Sequence, residues 1–201
     1  MKKLSIAILL FSGVALFAAC NGNNSNTSTS TSDSTNTTDT STTAATNPDT
    51  MNTAGNAMID ENTKDFVNKA ATGGMEEVEL GNLAQQKATN QRLKDFGKMM
   101  VDDHTKANDE LKTLAAKKSI DVPTAVTDDQ RKDIDKLSKK SGADFDKAYE
   151  NMMVDDHKKD IDEFKKAENK VNDNDIKNFA INTLPTLEKH LDSIQAIKSK
   201  K

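Results

Sequence analysis

One histidine-containing segment occurs twice in the sequence. The six residues Met-Met-Val-Asp-Asp-His at Met99–His104 return without change at Met152–His157. The chain has three histidines, so the two segments hold two of them, and the third is His190. Imidazole nitrogens are ligands for Zn, Cu and Fe ions. The first question is therefore whether the fold brings the three histidines together.

The hydrophobic pattern of residues 58–201 predicts an all-α domain. Apolar residues recur at intervals of three and four, without the alternation of a strand. Four long helices are predicted, and they are expected over about residues 61–88, 91–118, from the Ser141–Asp144 capping segment to 171, and 174–198. A short helix is predicted over 127–140, because Thr127 and Gln130 form a capping-box pattern. Two short links and one long middle connection indicate a four-helix bundle whose long crossover contains the extra helix.

Near the middle of each long helix, the inward row carries a glutamate or a histidine. In the second helix, for example, the row Leu93, Phe96, Met100 continues to His104. The corresponding residues are Glu77, His104, His157 and His190. Residues in the middle of neighbouring helices reach similar heights whichever way each helix points. We therefore expect these four side chains to meet in the centre of the bundle.

Two further features concern the packing of these helices. Small residues in the inward row of the first helix predict a close approach of a neighbouring backbone; they are Ala70, Gly74, Gly81 and Ala84. Pro185 lies within the fourth long helix and removes a hydrogen bond to the carbonyl of Ile181. A bend just before His190 is therefore expected.

The chain resembles a known bacterial family through motifs in all four long helices. The motifs are Glu77-Val78-Glu79-Leu80-Gly81, the two Met-Val-Asp-Asp-His segments, and Thr183-Leu184-Pro185-Thr186-Leu187 ahead of His190. Over roughly residues 66–197 they resemble the ferritin-like family known as domain of unknown function 4142. The resemblance implies a ferritin-like bundle on an exported protein, commonly lipid-anchored or periplasmic. It implies no activity.

A metal site is the most specific interpretation of the four inward polar residues. Three imidazoles and one carboxylate from four helices would suit a Zn, Cu, Fe or Mn ion. The predicted ligands are Glu77, His104, His157 and His190. Asp103 and Asp156, at the rim, could accept hydrogen bonds from the imidazoles. The predicted function is non-enzymatic metal storage, buffering or sensing.

Other interpretations remain open from the sequence. The histidines could satisfy one another in a buried network of a structural or protein-interaction module, or make the bundle sensitive to pH. Met100 and Met153, each four residues before a histidine, suit Cu(I) but also fill cores. A di-iron carboxylate enzyme is disfavoured, because it needs a Glu three residues before its histidines. Those positions hold Val101, Val154 and Leu187.

The N-terminal region has the pattern of an export signal. Two lysines precede an uncharged apolar run over residues 4–19, and Cys20 follows. The segment Leu16-Phe17-Ala18-Ala19-Cys20 resembles a bacterial lipoprotein signal, in which the cysteine becomes the lipidated first residue. We therefore predict a signal peptide over 1–19, with a plain secretory signal or an uncleaved anchor as alternatives. The predicted location is the cell envelope, at the outer membrane or the periplasmic face.

Composition restricts the remaining regions and partners. Residues 20–57 are rich in Ser, Thr and Asn, which predicts a disordered tether with a span of about 30 to 35 Å. Cys20 is the one cysteine, so the chain cannot form an internal disulfide. The formal net charge of −4 and the low aromatic content argue against nucleic-acid binding. The expected partners are the membrane, through Cys20, and an unidentified envelope protein.

Overall fold

A computed structural model of the protein describes residues 59–200. The predicted signal peptide over 1–19, the lipidation site at Cys20 and the tether over 20–57 lie outside the described residues. Among the described residues, no helix has both the length and the apolar character needed to cross a membrane.

The described residues form five helices and no strand, which confirms the all-α prediction. The helices are α1 Glu61–Lys87, α2 Gln91–Lys117, α3 Asp128–Ser138, α4 Gly142–Lys170 and α5 Asn174–Ser199. Local capping explains where they begin. Asp60 accepts a hydrogen bond from the Thr63 amide at 2.9 Å, and Thr127 and Gln130 form the predicted capping box.

The long helices form a four-helix bundle with one long crossover. α1 packs against α2 and α4, and α5 packs against α4 and α2. The crossover between α2 and α4 contains α3, which packs on α1 and α4. Arg131 of α3 forms two contacts with the Glu79 carboxylate of α1, at 2.6 and 2.8 Å. The crossover is therefore attached to the α1 and α4 side of the bundle.

α1 and α2 touch through their backbones. A Cβ placed on Gly81 would lie 2.7 Å from the carbonyl oxygen of Gly97, and a Cβ on Gly97 would lie 2.6 Å from that of Gly81. These distances are too short for any side chain. The predicted close approach at the small residues of α1 is confirmed, and Gly97 is its counterpart on α2.

The hydrophobic core is divided into two clusters, and the polar residues separate them. Along α1, Phe66 to Ala71 belong to one cluster and Leu80 to Ala88 to the other, with Glu77 between. In the other three long helices His104, His157 and His190 also separate the two clusters, which follow in the same order along α5 and in the reverse order along α2 and α4. The four residues therefore form one buried layer across the bundle.

Pro185 is accommodated within α5, which continues to Ser199. The carbonyl that loses its helical partner belongs to Ile181, and this residue is 40% exposed. Water can therefore hydrate the carbonyl at little cost. The bend before His190 stays a prediction.

Candidate metal centre

The structure brings the four sequence-predicted residues into contact. His157 and His190 are 0% exposed, Glu77 3% and His104 5%. The imidazole ring centroids lie 5.2 to 6.0 Å apart. One nitrogen from each histidine belongs to a group of atoms that lie within 4.8 Å of one another. The predicted convergence is therefore present in the fold.

One nitrogen of each histidine is held by an acceptor. The contacts are His104 Nδ1 to Glu77 Oε2 at 2.9 Å, His157 Nδ1 to the Met153 carbonyl at 2.8 Å, and His190 Nε2 to Asp103 Oδ2 at 2.9 Å. A carbonyl cannot donate, so His157 Nδ1 carries its proton, and the other two imidazole nitrogens carry theirs when the facing carboxyl group is ionised. Asp103 thus accepts a hydrogen bond from an imidazole, as its predicted position at the rim of the bundle suggested.

The other nitrogen of each histidine has no partner among the described residues. These atoms are Nε2 of His104, Nε2 of His157 and Nδ1 of His190, and all three are shielded from solvent. Because the proton of each neutral ring is on the opposite nitrogen, each of these atoms presents a lone pair. A ligating histidine has this arrangement, with one nitrogen free for the metal and the other donating to an outer acceptor.

Burial keeps the three imidazoles neutral. It lowers the pKa of His104 to about 4, against the opposing influence of Asp160 and Asp103. It also lowers the pKa of His157 and His190, and repulsion from His104 adds to the effect. All three rings are therefore in their metal-binding form at neutral pH.

Glu77 contacts two of the histidines. Its Oε2 faces His104, while its Oε1 lies 3.4 Å from His157 Nδ1 and accepts no hydrogen bond from a described residue. Burial raises the pKa of Glu77 to about 7, and His157 opposes this rise. Glu77 does not belong to the group of ligand atoms within 4.8 Å. Its assignment as a fourth ligand stays a prediction, and its observed contact is that of an outer acceptor.

Asp160 belongs to this network, although the sequence did not single it out. Burial raises its pKa well above the usual value, and the neighbouring Glu77 carboxylate raises it further. Repulsion between the two carboxylates therefore opposes the ionisation of both at once. The available sequence signal was position, because Asp160 lies three residues after His157 and so on nearly the same helix face.

The spacing of one nitrogen from each histidine approaches the geometry of a metal site. A tetrahedral ion with metal to nitrogen distances of about 2.0 to 2.1 Å separates its ligand atoms by about 3.4 Å. The separation in the structure extends to 4.8 Å. Binding an ion would therefore draw the rings together by on the order of 1 Å, which side-chain rotation can supply.

Aromatic residues cover one side of the layer. The Phe96 ring lies 6.4 Å from those of His157 and His190, and Tyr149 packs behind it at 6.2 Å. Met100 and Met153 are fully buried in the same apolar cluster. This placement fits their use as core residues, and copper binding by their thioethers stays a prediction. The buried Tyr149 hydroxyl has no described hydrogen-bond partner.

An acidic cleft lies between α1 and α4 on the side of Glu77. It has a volume of about 390 Å³, and one edge is formed by Gln130 of α3. Five carboxylates line it, namely Glu76, Glu77, Asp156, Asp160 and Glu163. Asp156 contacts Lys159 at 3.2 Å. Asp156 therefore lines the acidic cleft, whereas its repeat counterpart Asp103 holds a histidine.

Replacing Glu76 with glutamine is expected to stabilise the protein in a pH-dependent way. Burial, and then repulsion from Asp156, raise the pKa of Glu76 from 4.5 to about 7. Between about pH 4.5 and pH 7 the folded state therefore keeps a proton on Glu76 that the unfolded chain has released. The free energy of unfolding falls as the pH rises through this range. Glu76 is partly exposed, so we reduce the free energy that corresponds to the full pKa shift by about half. The Glu76→Gln variant should therefore be more stable than wild type by about 1 to 2 kcal/mol at pH 8.

Urea unfolding at pH 5 and pH 8 would measure this effect. The variant and wild type should have nearly equal stability at the lower pH, where Glu76 is mostly protonated in the folded state. Glu110→Gln, at an exposed position of α2, provides a control that should show little change at either pH. An equal gain for Glu76→Gln at both values would contradict the assignment.

The sequence matches the family described as Domain of unknown function (DUF4142) over residues 48–197. The chain belongs to the DUF4142 family. The match includes all four long helices and the whole histidine layer, so the resemblance read from the repeated segments is confirmed. No curated protein matches the sequence.

The fold of this DUF4142 domain is similar to that of a solved structure. The crystal structure of a DUF305 fragment from Deinococcus radiodurans superposes with a TM-score of 0.63. The match covers 71% of this chain and 99% of that chain at 6% sequence identity. At this identity the similarity supports the fold alone, and it confirms the helical bundle.

Proposed function

We propose that this DUF4142 domain binds one transition-metal ion through His104, His157 and His190, and that it stores, buffers or senses the metal. One observation carries the proposal. One nitrogen from each of three buried histidines lies within 4.8 Å of the others, and each ring has one nitrogen held by an acceptor and one without a described partner. A cation would satisfy the lone pairs of the unpartnered nitrogens.

A metal accounts for this arrangement better than a buried network does. In a structural network the rings would hydrogen-bond to one another, which requires a donor as well as an acceptor. Here the protons are directed to Glu77, the Met153 carbonyl and Asp103. The three remaining nitrogens can only accept, so no pair among them can form a hydrogen bond, and burying them unpaired is costly.

The donor set favours metals that bind imidazole. Three neutral nitrogens suit Zn, Cu or Fe, with a fourth position left for Glu77 or a small ligand. Mn prefers oxygen ligands and would depend more on Glu77. Bridging carboxylates of the di-iron type are missing from the helix positions that supply them, since these are Val101, Val154 and Leu187. The proposed role is therefore metal storage, buffering or sensing, and not di-iron chemistry.

The N-terminal sequence supports a location in the cell envelope. The apolar run before Cys20 and the polar composition of residues 20–57 fit a lipid anchor followed by a tether. We place the bundle at the outer membrane or the periplasmic face, where metal supply varies with the surroundings. An envelope protein that exchanges metal with the bundle is the partner that this location suggests.

Elemental analysis of the protein, purified without chelator or affinity metal, tests the proposal. Wild type should contain close to one ion per chain, and the His104→Ala/His157→Ala variant should contain less than about a tenth as much, because two of three ligands are removed. Circular dichroism would establish that the variant remains helical.

The opposite result is equally informative. If neither protein holds metal, and added Zn, Cu, Fe or Mn does not raise the melting temperature of wild type, the metal proposal is wrong. The histidine layer would then belong to a structural or protein-interaction module in the envelope.

A further inference from the structure

A small internal cavity lies directly beside the histidine layer. Its volume is about 20 Å³, enough for about one water-sized particle. Glu77, His104, Asn108 and Asp160 supply its polar lining atoms together with Thr183. The unpartnered histidine nitrogens are shielded from water, so an ion must enter through a space beside the layer, and this cavity gives access to Glu77 and His104.

On one side, the cavity adjoins the acidic cleft. Gly73, Glu77 and Asp160 line both spaces and therefore form the partition between them. Gly73 leaves this partition thin, since a Cβ placed there would meet only Asp160 Oδ1, at 3.8 Å. The other two residues present carboxyl oxygens to both spaces.

On the other side, the cavity adjoins a cleft between α2 and α5. This second cleft has a volume of about 150 Å³. It shares His104, Ala107, Thr183 and Leu187 with the cavity. It is also lined by His190 and by Asp103, whose Oδ2 contacts His190 Nε2 at 2.9 Å, and by the cation of Lys106.

The two partitions differ in what they offer a cation. An ion that leaves water must exchange its hydration shell for other oxygen or nitrogen atoms, or its desolvation is prohibitive. The partition of the acidic cleft supplies the carboxyl oxygens of Glu77 and Asp160, whereas in the second cleft Asp103 is already held by His190 and Lys106 repels a cation. We propose that the metal ion reaches the histidine layer through the acidic cleft, crossing the partition formed by Gly73, Glu77 and Asp160. This inference rests on the metal-binding function proposed above.

Glu77 is placed to transfer the ion. It is 3% exposed, its Oε2 faces His104, and its Oε1 accepts no hydrogen bond from a described residue. Glu77 therefore lies between the acidic cleft, which it lines, and the ligand histidines, which its two oxygens face. The cleft carboxylates are too dispersed to form a metal-sized group, and among the described residues only the histidines do so. The cleft thus fits a route better than a storage site.

The charge of the cleft would also accelerate association. Five carboxylates line it against two lysines. Lys69 contacts Asp65 and Glu163, and Lys159 contacts Asp156, so both cations are already paired. At about pH 8 the excess of carboxylates over lysines gives the cleft a negative charge. A negatively charged cleft concentrates cations and raises their association rates, and salt screens the effect.

Stopped-flow measurement of Zn²⁺ binding to the full chain tests the route by reversing one charge in each cleft. At about pH 8 and about 0.01 M ionic strength, Glu76→Lys should lower the association rate constant about tenfold, with the difference reduced at about 0.5 M salt. Glu110→Lys makes the same charge change in the second cleft and should alter the rate by less than about twofold. Glu76→Gln, with a smaller effect in the same direction, serves if the lysine variant folds poorly.

Each outcome is decisive for the route. Equal slowing by both lysine variants would show an effect of net charge alone, and slowing by Glu110→Lys alone would assign the route to the second cleft. Unchanged rates in every variant would also overturn the inference, although Zn²⁺ binding itself would then support the proposed function. A wild type that binds no Zn²⁺ and no other added metal would overturn both.

Obstructing the partition gives an independent test. Gly73→Leu should slow both association and dissociation of Zn²⁺ by a similar factor of about ten, because an obstacle on the route raises the barrier without changing the bound state. Gly73→Ala, whose Cβ has room, is the matched control and should change neither rate appreciably. A Gly73→Leu variant that loads and releases metal at wild-type rates would contradict passage at this point.

Discussion

Replacing Gly97 with alanine is expected to destabilise the protein by about 3 kcal/mol, because the new methyl group has no space. Its Cβ would lie 2.6 Å from the Gly81 carbonyl oxygen and 2.8 Å from the Ala84 Cβ. The first of these atoms belongs to the backbone of α1, so relief requires the two helices to separate. Chemical denaturation with a helical circular dichroism signal would measure the loss.

The matched control is Gly73→Ala in α1. A Cβ at this position meets only Asp160 Oδ1 at 3.8 Å, an ordinary contact distance. Alanine is favoured over glycine within a helix by about 1 kcal/mol, so this variant should be neutral or stabilised. Similar destabilisation of both variants would indicate that intrinsic helix effects, and not the contact between α1 and α2, determine the result.

The same helix contact positions the histidine layer. Glu77 lies on α1 and His104 on α2, and 2.9 Å separates their contacting atoms. Separating the helices at Gly97 would lengthen this contact. A lengthening of a few tenths of an ångström weakens a hydrogen bond. Gly97→Ala should therefore weaken metal binding as well as stability, even though it touches no ligand.

His157→Ala is expected to reduce metal affinity by at least about a hundredfold, because it removes one of three ligands from a site closed to other donors. His157 is 0% exposed, and its Nε2 is one of the three nitrogens without a described partner. Competition of the protein with a chromophoric chelator for Zn²⁺ would measure the change. Circular dichroism should show that the bundle remains helical.

Two further variants separate ligand loss from a general disturbance of the core. Asp103→Ala removes the acceptor of His190 and should weaken Zn²⁺ binding by about ten- to a hundredfold, less than the loss of a ligand. Tyr149→Phe removes a buried hydroxyl without a described partner and should leave affinity unchanged. An affinity of His157→Ala equal to that of wild type would refute the three-histidine centre.

The structural alternative predicts a different pattern for His157→Ala. If the layer served only as a polar network, the variant would lose the same stability with or without added metal. A metal centre predicts instead that Zn²⁺ raises the melting temperature of wild type but not of the variant. Thermal unfolding of both proteins, with and without Zn²⁺, distinguishes the two patterns.

The sequence determined the helices of this protein because their boundaries depend on neighbouring residues. Asp60 caps the third amide after it, and Thr127 and Gln130 cap one another, so these signals lie within a few positions. Periodicity also identified the layer. Each polar residue interrupts an apolar row at mid-helix, and this is sufficient to predict that Glu77 and the three histidines meet.

The sequence predicted the buried residues of each helix less completely than it predicted the helices themselves. The structure also buries Val67, Ala71 and Leu80 of α1, which fell outside the row expected from the sequence. A buried helix face is wider than one line of residues when a helix packs against two neighbours, as α1 does. The number of neighbours is a property of the bundle and not of the helix.

Only the tertiary structure decided the chemistry of the layer. Asp103 and Asp156 occupy equivalent positions in identical segments, yet one holds His190 and the other contacts Lys159 in the acidic cleft. The free nitrogen is Nε2 in His104 and His157 but Nδ1 in His190. Helix formation depends on contacts within a few residues, whereas these partners depend on the rotation and separation of different helices. Packing of the whole bundle fixes the rotation and the separation of the helices, and so it selects the partner of each aspartate and of each ring nitrogen.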